Sequence, residues 1–342
     1  MAIPEAVTPA AVATTAKSAW LDPTLARRLK SPSAPGQPCQ SPAKPRTLPH
    51  PALIQGFVST HPKTFKLGGD LNVHRLGFGA MRIVGDGVWG EPKSPENSHK
   101  VLRRAVELGV NFIDTADAYG PAVSERLIGE ALATYSHGTV VATKGGLTRQ
   151  GPNAWQPVGR APYIVQQVEL SLRFLRLEAL PLWQLHRIDP NTPVEESLGA
   201  AKQLQKQGKI RHIGLSEVKV PEIEHARKIV EIVSVQNKYN IGDRAHKDVL
   251  QYCEKHSIAF IPWFPVAAGK LTKPGGALDH AAKKHGATLS QLSLAWLLQH
   301  SPVILPIPGT SSVAHLEENM KAADLNLSAS DWAEIEGTAK AA

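Results

Sequence analysis

Between Phe78 and Ala322 the chain alternates between short apolar runs and stretches of helical period, and this constrains its fold more than any other feature. Runs read as strands fall at Phe112–Asp114, Val140–Thr143, Leu180–His186, Ile210–Ser216, Val233–Gln236, Ile258–Trp263 and Val303–Pro308. Helical periodicity fills the intervals over Pro95–Leu108, Ser124–Ala133, Pro162–Leu175, Pro193–Gln207, Pro221–Ile229, Lys247–His256, Ser290–Gln299 and Val313–Ala322, with a further helix over Ala329–Thr338. The strand before the first helix brings the count to eight βα units. Strands that alternate with helices of this length pair in parallel, and eight units close into an α/β fold, the (β/α)8 TIM barrel. An open doubly wound sheet would carry a glycine-rich nucleotide turn after its first strand, and GFGAMRIVG does not match G-x-G-x-x-G. Ahead of the barrel, TFKLGGDLNVH predicts an N-terminal β-hairpin around Gly68, Gly69 and Asp70.

Barrel closure gives meaning to the polar residues that end these runs, because the C-terminal ends of all strands share one face. In FIDTADAYG, Asp114 closes an apolar run where a strand interior would disfavour it, and Tyr119 follows five residues later. Lys144 ends the run in ATKGG, and His186 ends the run in LWQLHRID. A free phenol has a pKa of about 10 and is a sluggish acid–base group at neutral pH. A lysine nearby would stabilise the phenolate and lower that pKa, with a carboxylate to hold the ammonium. The histidine can donate to a substrate oxygen. Each residue alone has a plainer reading: a buried ion pair for Asp114 and Lys144, a packed rim aromatic for Tyr119, an interior hydrogen-bonded imidazole for His186. Four ionisable groups at three successive strand ends point instead to chemistry.

Composition narrows the class further. The net charge of +8 is concentrated in residues 1–63, which hold seven Lys/Arg against two acids and 11 of the 27 prolines. This arm lacks periodicity and cannot bury enough apolar surface to offset its ordering entropy, so it is expected to be a disordered Pro-rich tail, with the barrel domain spanning 64–342. A transit peptide is disfavoured by its few arginines and many prolines. Outside the arm no basic–aromatic spacing marks a nucleic-acid groove, so no nucleic-acid partner is expected. Cys39 and Cys253 form neither a disulfide framework nor a metal site, and reducing surroundings follow. No apolar run approaches the roughly 18 residues of a membrane span, and no signal-peptide core is present. The expectation is a cytoplasmic protein without membrane association; the oligomeric state is not legible.

FIDTADAYG, ATKGG and LWQLHRID, followed in order by IRHIGLSEV, VQNKYN, PWFPVAAGKL and LPIPGTSSVAHLEEN, resemble the motif series of the aldo-keto reductase superfamily over essentially Thr64–Lys340. The pattern is similar to a bacterial-type branch that includes pyridoxal reductases. The resemblance implies an enzyme that transfers hydride from NADPH to the carbonyl carbon of a small aldehyde or ketone, with Asp114, Tyr119, Lys144 and His186 catalytic and Tyr119 the proton donor. It also implies a cofactor set. Ser216 and Gln236 would bond the nicotinamide amide, and Trp263 would stack on the ring. Gly309, Thr310, Ser311 and Ser312 would receive phosphate at the start of the last barrel helix, and Glu318 and Asn319 would bind adenine. Such a helix start suits an anion.

Two departures stand out: Glu217 replaces the Asn found after Ser216 in many members, and Gly309 and His315 stand where better-known members carry a Lys and an Arg on the 2′-phosphate. The second departure removes the usual basis for preferring NADPH over NADH, but relatives of this bacterial-type pattern tend to use NADPH, so the resemblance implies NADPH, with NADH not excluded, and no metal is expected. The alternatives are a cofactor-binding regulatory or interaction subunit on the same barrel, disfavoured by the intact four-residue set, and a Schiff-base enzyme using Lys144, which leaves Tyr119 and Ser216 without a role. Trp89 and Trp155, in the loops after the first and third strands, could line a substrate pocket or anchor the loops. For Arg187 a salt bridge to Asp189 is the plainer expectation, ahead of contact with a substrate anion.

Overall fold

The computed structural model describes residues 62–132, 138–266 and 277–341. Apart from Pro62 and Lys63, the proline-rich arm lies outside the described residues, as do the end of PWFPVAAGKL and Ala133, the last residue of the second helix predicted. Strands β1 (Thr64–Leu67) and β2 (Leu71–His74) form the predicted hairpin, with Thr64 opposite His74 and Leu67 opposite Leu71. Its turn needs glycine: Gly68 and Gly69 have φ of 62° and 83°, a region open to a residue without a Cβ.

The barrel strands follow in chain order. They are β3 (Phe78–Gly79), β4 (Phe112–Asp114) and β5 (Val140–Gly145) and then, after a separate antiparallel hairpin of β6 (Leu147–Gly151) and β7 (Ala154–Pro157), β8 (Leu180–Leu185), β9 (Ile210–Ser216), β10 (Ser234–Gln236) and β11 (Ala259–Phe260). Neighbouring barrel strands are all parallel. Residues 303–308 close the circle. Phe260 N–H donates to the Val303 carbonyl (2.9 Å) and Leu305 N–H to the Phe260 carbonyl (2.8 Å), while Gly77 and Gly79 donate to the carbonyls of Pro306 (2.9 Å) and Pro308 (3.2 Å). Prolines at 302, 306 and 308 remove ladder donors, so this eighth strand is marked only by the Phe260–Ile304 bridge.

Ten helices are described: α1 (Pro95–Glu107), α2 (Val123–Ala131), α3 (Ala161–Leu175), α4 (Val194–Lys206), α5 (Val220–Arg227), α6 (Lys247–His256), α7 (Ala277–Lys284), α8 (Leu289–His300), α9 (Val313–Met320) and α10 (Ala329–Ala341). Some of their starts are capped by side chains. Ser94 accepts from Asn97 N–H ahead of Pro95, and Thr288 and Gln291 form a capping box at α8. Two elements lie beyond the sequence expectation. The β6–β7 hairpin carries no clean apolar alternation, and α7, an eight-residue helix, falls in a stretch for which no element is predicted. Among the described residues no helix is long and apolar enough to cross a membrane.

Side-chain parity along the strands explains where the core ends and the site begins. Phe112, Val140, Ala142, Leu182, Ala259, Ile261, Leu305 and Ile307 pack together inside the barrel, plugged by Leu67 and Val73 of the hairpin. Their neighbours of opposite parity, including Ile113, Val141, Trp183, Ile213, Val235, Phe260 and Ile304, pack outward in the helix-covered layer. Continuing the inward parity by one or two steps toward the C-terminal ends reaches Asp114, Lys144, Gln184, His186, Ser216 and Gln236. Apolar side chains therefore fill the lower barrel, and polar ones line the top.

Candidate active site

Lys144, fully buried, is the hub. Its Nζ donates to Asp114 Oδ2 at 2.7 Å, to the Thr115 carbonyl at 2.8 Å and to Tyr119 Oη at 3.3 Å, so its three protons all have acceptors. Register places Asp114 opposite Ala142 and Lys144 opposite Gln184, which aims the carboxylate and the ammonium into one layer from adjacent strands. Asp114 Oδ1 accepts from Gln236 Nε2 at 2.7 Å and Gln184 Nε2 at 3.4 Å. Beyond β4 the chain follows β5: Thr115 N–H donates to the Ala142 carbonyl and Asp117 N–H to the Lys144 carbonyl. It then turns at Gly120 (φ 88°), leaving Tyr119 over the ammonium, 5.1 Å from ring centroid to Nζ. His186 N–H donates to the Gly145 carbonyl at 2.8 Å, and its ring stands edge-on to Tyr119 with centroids 6.1 Å apart. The buried His186 Nδ1 has no hydrogen-bond partner.

The electrostatics follow from these distances. Burial by itself would lower the Lys144 pKa, but Asp114 and Tyr119 beside it together outweigh burial, so the ammonium is held above its usual range and stays charged. For Tyr119 the expected depression does not hold. Burial raises the phenol above its free value, aided by Asp114, and Lys144 only partly opposes that. The group is a firmly protonated donor rather than a preformed phenolate. Burial, with Lys144, Arg187 and Arg149 nearby, pushes His186 well below its usual range, so the imidazole is neutral.

Two buried acids stand behind this cluster and were not singled out from the sequence. Asp117 accepts from Tyr163 Oη at 2.7 Å, and Glu125 accepts from Thr143 Oγ1 at 2.6 Å. Burial raises Asp117 well above the usual carboxylate range, helped by Glu125, and raises Glu125 from 4.5 to about 7, with Ser171, Thr143 and Lys144 opposing. Below pH 4.5 Glu125 is neutral folded or unfolded and contributes nothing. Between 4.5 and about 7 the unfolded chain gives up a proton that the folded chain retains, so stability falls through this window and stays reduced above it. The size is about 3 kcal/mol. We expect Glu125→Gln to gain stability over wild type at pH 8 and little at pH 5, read by urea unfolding at both pH values. A gap that does not change with pH would remove Glu125 as its source.

The residues assigned to cofactor by resemblance form two groups. Ser216 and Gln236 face each other in the β9–β10 register, and Trp263 bridges Lys238 just beyond β11. Ser216 Oγ accepts from Arg187 at 3.2 Å. The Gln236 amide is bonded to Asp114, and the Trp263 indole donates to Glu217 Oε1, which also takes the Lys238 N–H at 2.8 Å. Glu217, at φ 56°, thus holds the indole from the position where an Asn is commoner. In the second group Thr310 Oγ1 accepts from Ser312 N–H, and Ser312 caps α9 by accepting from His315 N–H. Asn97 ties down the Ser311 carbonyl at 2.7 Å, leaving Gly309 and Ser311 at the surface. His315 is exposed. Glu318 and Asn319 are engaged with Thr288 and Ser290, at 2.6 and 2.9 Å.

Arg187 does not pair with Asp189. The aspartate caps Gly159 N–H, Asn191 N–H and the Thr192 hydroxyl, and the guanidinium is turned toward Ser216. Gln184 could have been found in the sequence, since it sits two residues before His186 on the same face of the strand; Arg149, inside a loop, left no such signal.

Comparison with known proteins agrees with this geometry. The sequence model of the Aldo/keto reductase family matches residues 75–340. An uncharacterized oxidoreductase of Schizosaccharomyces pombe is 51% identical over 272 residues, covering 80% of this chain and 89% of the relative. Pyridoxine 4-dehydrogenase of Escherichia coli is 42% identical over 283 residues, covering 81% of this chain and 98% of the relative. The crystal structure of an aldo-keto reductase from Klebsiella pneumoniae in complex with NADPH superposes with a TM-score of 0.70 at 25% identity, covering 81% of this chain and 94% of that one. Barrel, site geometry and similarity along most of its length agree: the chain belongs to the aldo/keto reductase family of oxidoreductases.

Proposed function

We propose that this protein reduces a small aldehyde or ketone to the alcohol, with Tyr119 as proton donor and Asp114, Lys144 and His186 completing the catalytic set. One observation carries the reading: a single buried ammonium, Lys144, lies 2.7 Å from a carboxylate and 3.3 Å from a protonated phenol at the mouth of the barrel. The donor set fits a phosphate-bearing dinucleotide. Gly309–Ala314 offers three hydroxyls and the first amides of α9 and contains no carboxylate, and Ser216, Gln236 and Trp263 gather at the ends of β9 to β11. Arg82 supports NADPH over NADH. Its exposed side chain passes beside Gly309, its Cγ 3.6 Å from where a Cβ would stand there, and supplies a cation that the α9 segment lacks. The Klebsiella pneumoniae relative in complex with NADPH supports the same choice. NADPH would be held by these residues and supplies hydride.

The chain's own residues manage the oxygen and its proton. The substrate oxygen is received by the Tyr119 hydroxyl and by an N–H of the neutral His186. As hydride reaches carbon, the Tyr119 proton moves to oxygen. The phenolate left behind is stabilised by Lys144, whose ammonium Asp114 holds in place, and regains its proton from solvent. Steady-state assays of benzaldehyde, butanal and pyridoxal tests the reading, pyridoxal being included because one relative is a pyridoxine dehydrogenase. Consumption of NADPH at least about tenfold more efficiently than of NADH is expected. Tight NADPH binding with no carbonyl consumed would favour the regulatory subunit instead.

A further inference from the structure

The β6–β7 hairpin brings one cation to the mouth of the site, and every proton of that cation is already committed. Arg149 Nε donates to the Ala154 carbonyl at 2.9 Å, one terminal nitrogen to Val88 (2.6 Å) and Ala118 (2.9 Å), and the other to Gly87 (2.9 Å) and Gly151 (3.2 Å). These five bonds use all five guanidinium protons and tie together the loop after β3, the loop carrying Tyr119 and the hairpin itself. No donor remains for a substrate carboxylate or phosphate. The flat guanidinium instead lies 3.6 Å from the Trp155 ring centroid, with Trp89 at 5.6 Å. Held this way, Trp155 meets His186 edge-on at 6.5 Å, and His186 meets Tyr119 at 6.1 Å.

Trp155 keeps 37% of its surface exposed and Trp89 36%, although large aromatics normally bury more than this. Met81 and Phe264, which follow β3 and β11, are also exposed at strand C-terminal ends. Resting on the carbonyl-reduction reading, we propose that Arg149 is a positioning residue that fixes Trp155 beside His186, and that Trp155 sets a preference for carbonyls borne on a flat ring over carbonyls on an open chain. A ring beside His186 can stack or meet the indole edge-on, which an alkyl chain cannot match.

The test compares wild type with Trp155→Leu and Arg149→Met, using benzaldehyde against butanal. Two readouts are taken: the ratio of kcat/KM values with NADPH, and the ratio of dissociation constants without cofactor from ligand-observed NMR titration. Amide hydrogen exchange over Leu147–Pro157 reports the clamp. The expected result is a fall of about tenfold in both ratios for Trp155→Leu, and for Arg149→Met the same fall together with faster exchange in the hairpin. Ratios within twofold of wild type for Trp155→Leu overturn the proposal. Faster exchange with unchanged ratios in Arg149→Met reduces Arg149 to a structural clamp and overturns its positioning role. Should Arg149→Met fail to fold, Trp155→Leu decides. If wild type turns over neither carbonyl, the reductase reading fails, and the binding ratio still decides the role of Trp155.

Discussion

Tyr119→Phe is expected to lower kcat for carbonyl reduction by about three orders of magnitude while leaving the NADPH dissociation constant within about threefold of wild type. The substitution removes one oxygen, and that oxygen makes one long hydrogen bond, 3.3 Å to Lys144, in a site where the ammonium keeps its other two acceptors. The structural cost is therefore about 1 kcal/mol. The chemical cost is much larger, because burial holds the phenol protonated and Tyr119 is the acid that touches Lys144. Single-turnover kinetics with cofactor binding followed by fluorescence separates the two quantities. Retention of more than a tenth of wild-type turnover would move the proton donor elsewhere, with neutral His186 the first candidate.

Lys144→Met should be the most destabilising single change at the site, costing about 3–5 kcal/mol, because it leaves the Asp114 carboxylate buried without its counter-charge. Gln236 and Gln184 still donate to Oδ1, but amide dipoles do not replace an ammonium 2.7 Å from Oδ2. The double variant Lys144→Met with Asp114→Asn removes both charges and should recover most of that loss in urea unfolding, since an uncharged pair carries no uncompensated ion. Neither variant should reduce carbonyls. Stability that returns while activity stays absent would separate the electrostatic role of the pair in folding from its role in stabilising the Tyr119 phenolate. A double variant as unstable as the single one would mean that packing around Lys144, rather than charge, governs the region.

Alternation of apolar runs with helical periods was sufficient to read the barrel, and the hairpin was legible from Gly68–Gly69–Asp70, because both are consequences of local pattern. The four ionisable residues were visible for a related reason. Asp114, Lys144 and His186 each interrupt an apolar run at its C-terminal end, Tyr119 follows Asp114 by five residues, and barrel topology sends every such end to one face. The regular strand and helix boundaries mostly agree to within a few residues; two elements are missing from the sequence reading, α7 and the β6–β7 hairpin, which carries no clean apolar alternation.

Three-dimensional packing decided what local pattern could not. Whether Lys144 depresses Tyr119 depends on the balance between burial and one charge 3.3 Å away, and burial wins. Asp189 and Arg187 are two residues apart, yet their partners are Gly159, Asn191 and Thr192 for one and the His186 carbonyl and Ser216 hydroxyl for the other, set by which loops pass closest. Arg149 is the clearest case. Its acceptors lie at Gly87, Val88, Ala118, Gly151 and Ala154, a set that exists only once three separate loops have been brought to one rim. By itself the sequence determined the order of the elements and the identity of the polar residues at the strand ends, because periodicity and parity are properties of a single strand or helix. The charge state of those residues and the shape of the mouth were decided only by the tertiary structure, since desolvation and loop-to-loop hydrogen bonding depend on neighbours far away along the chain.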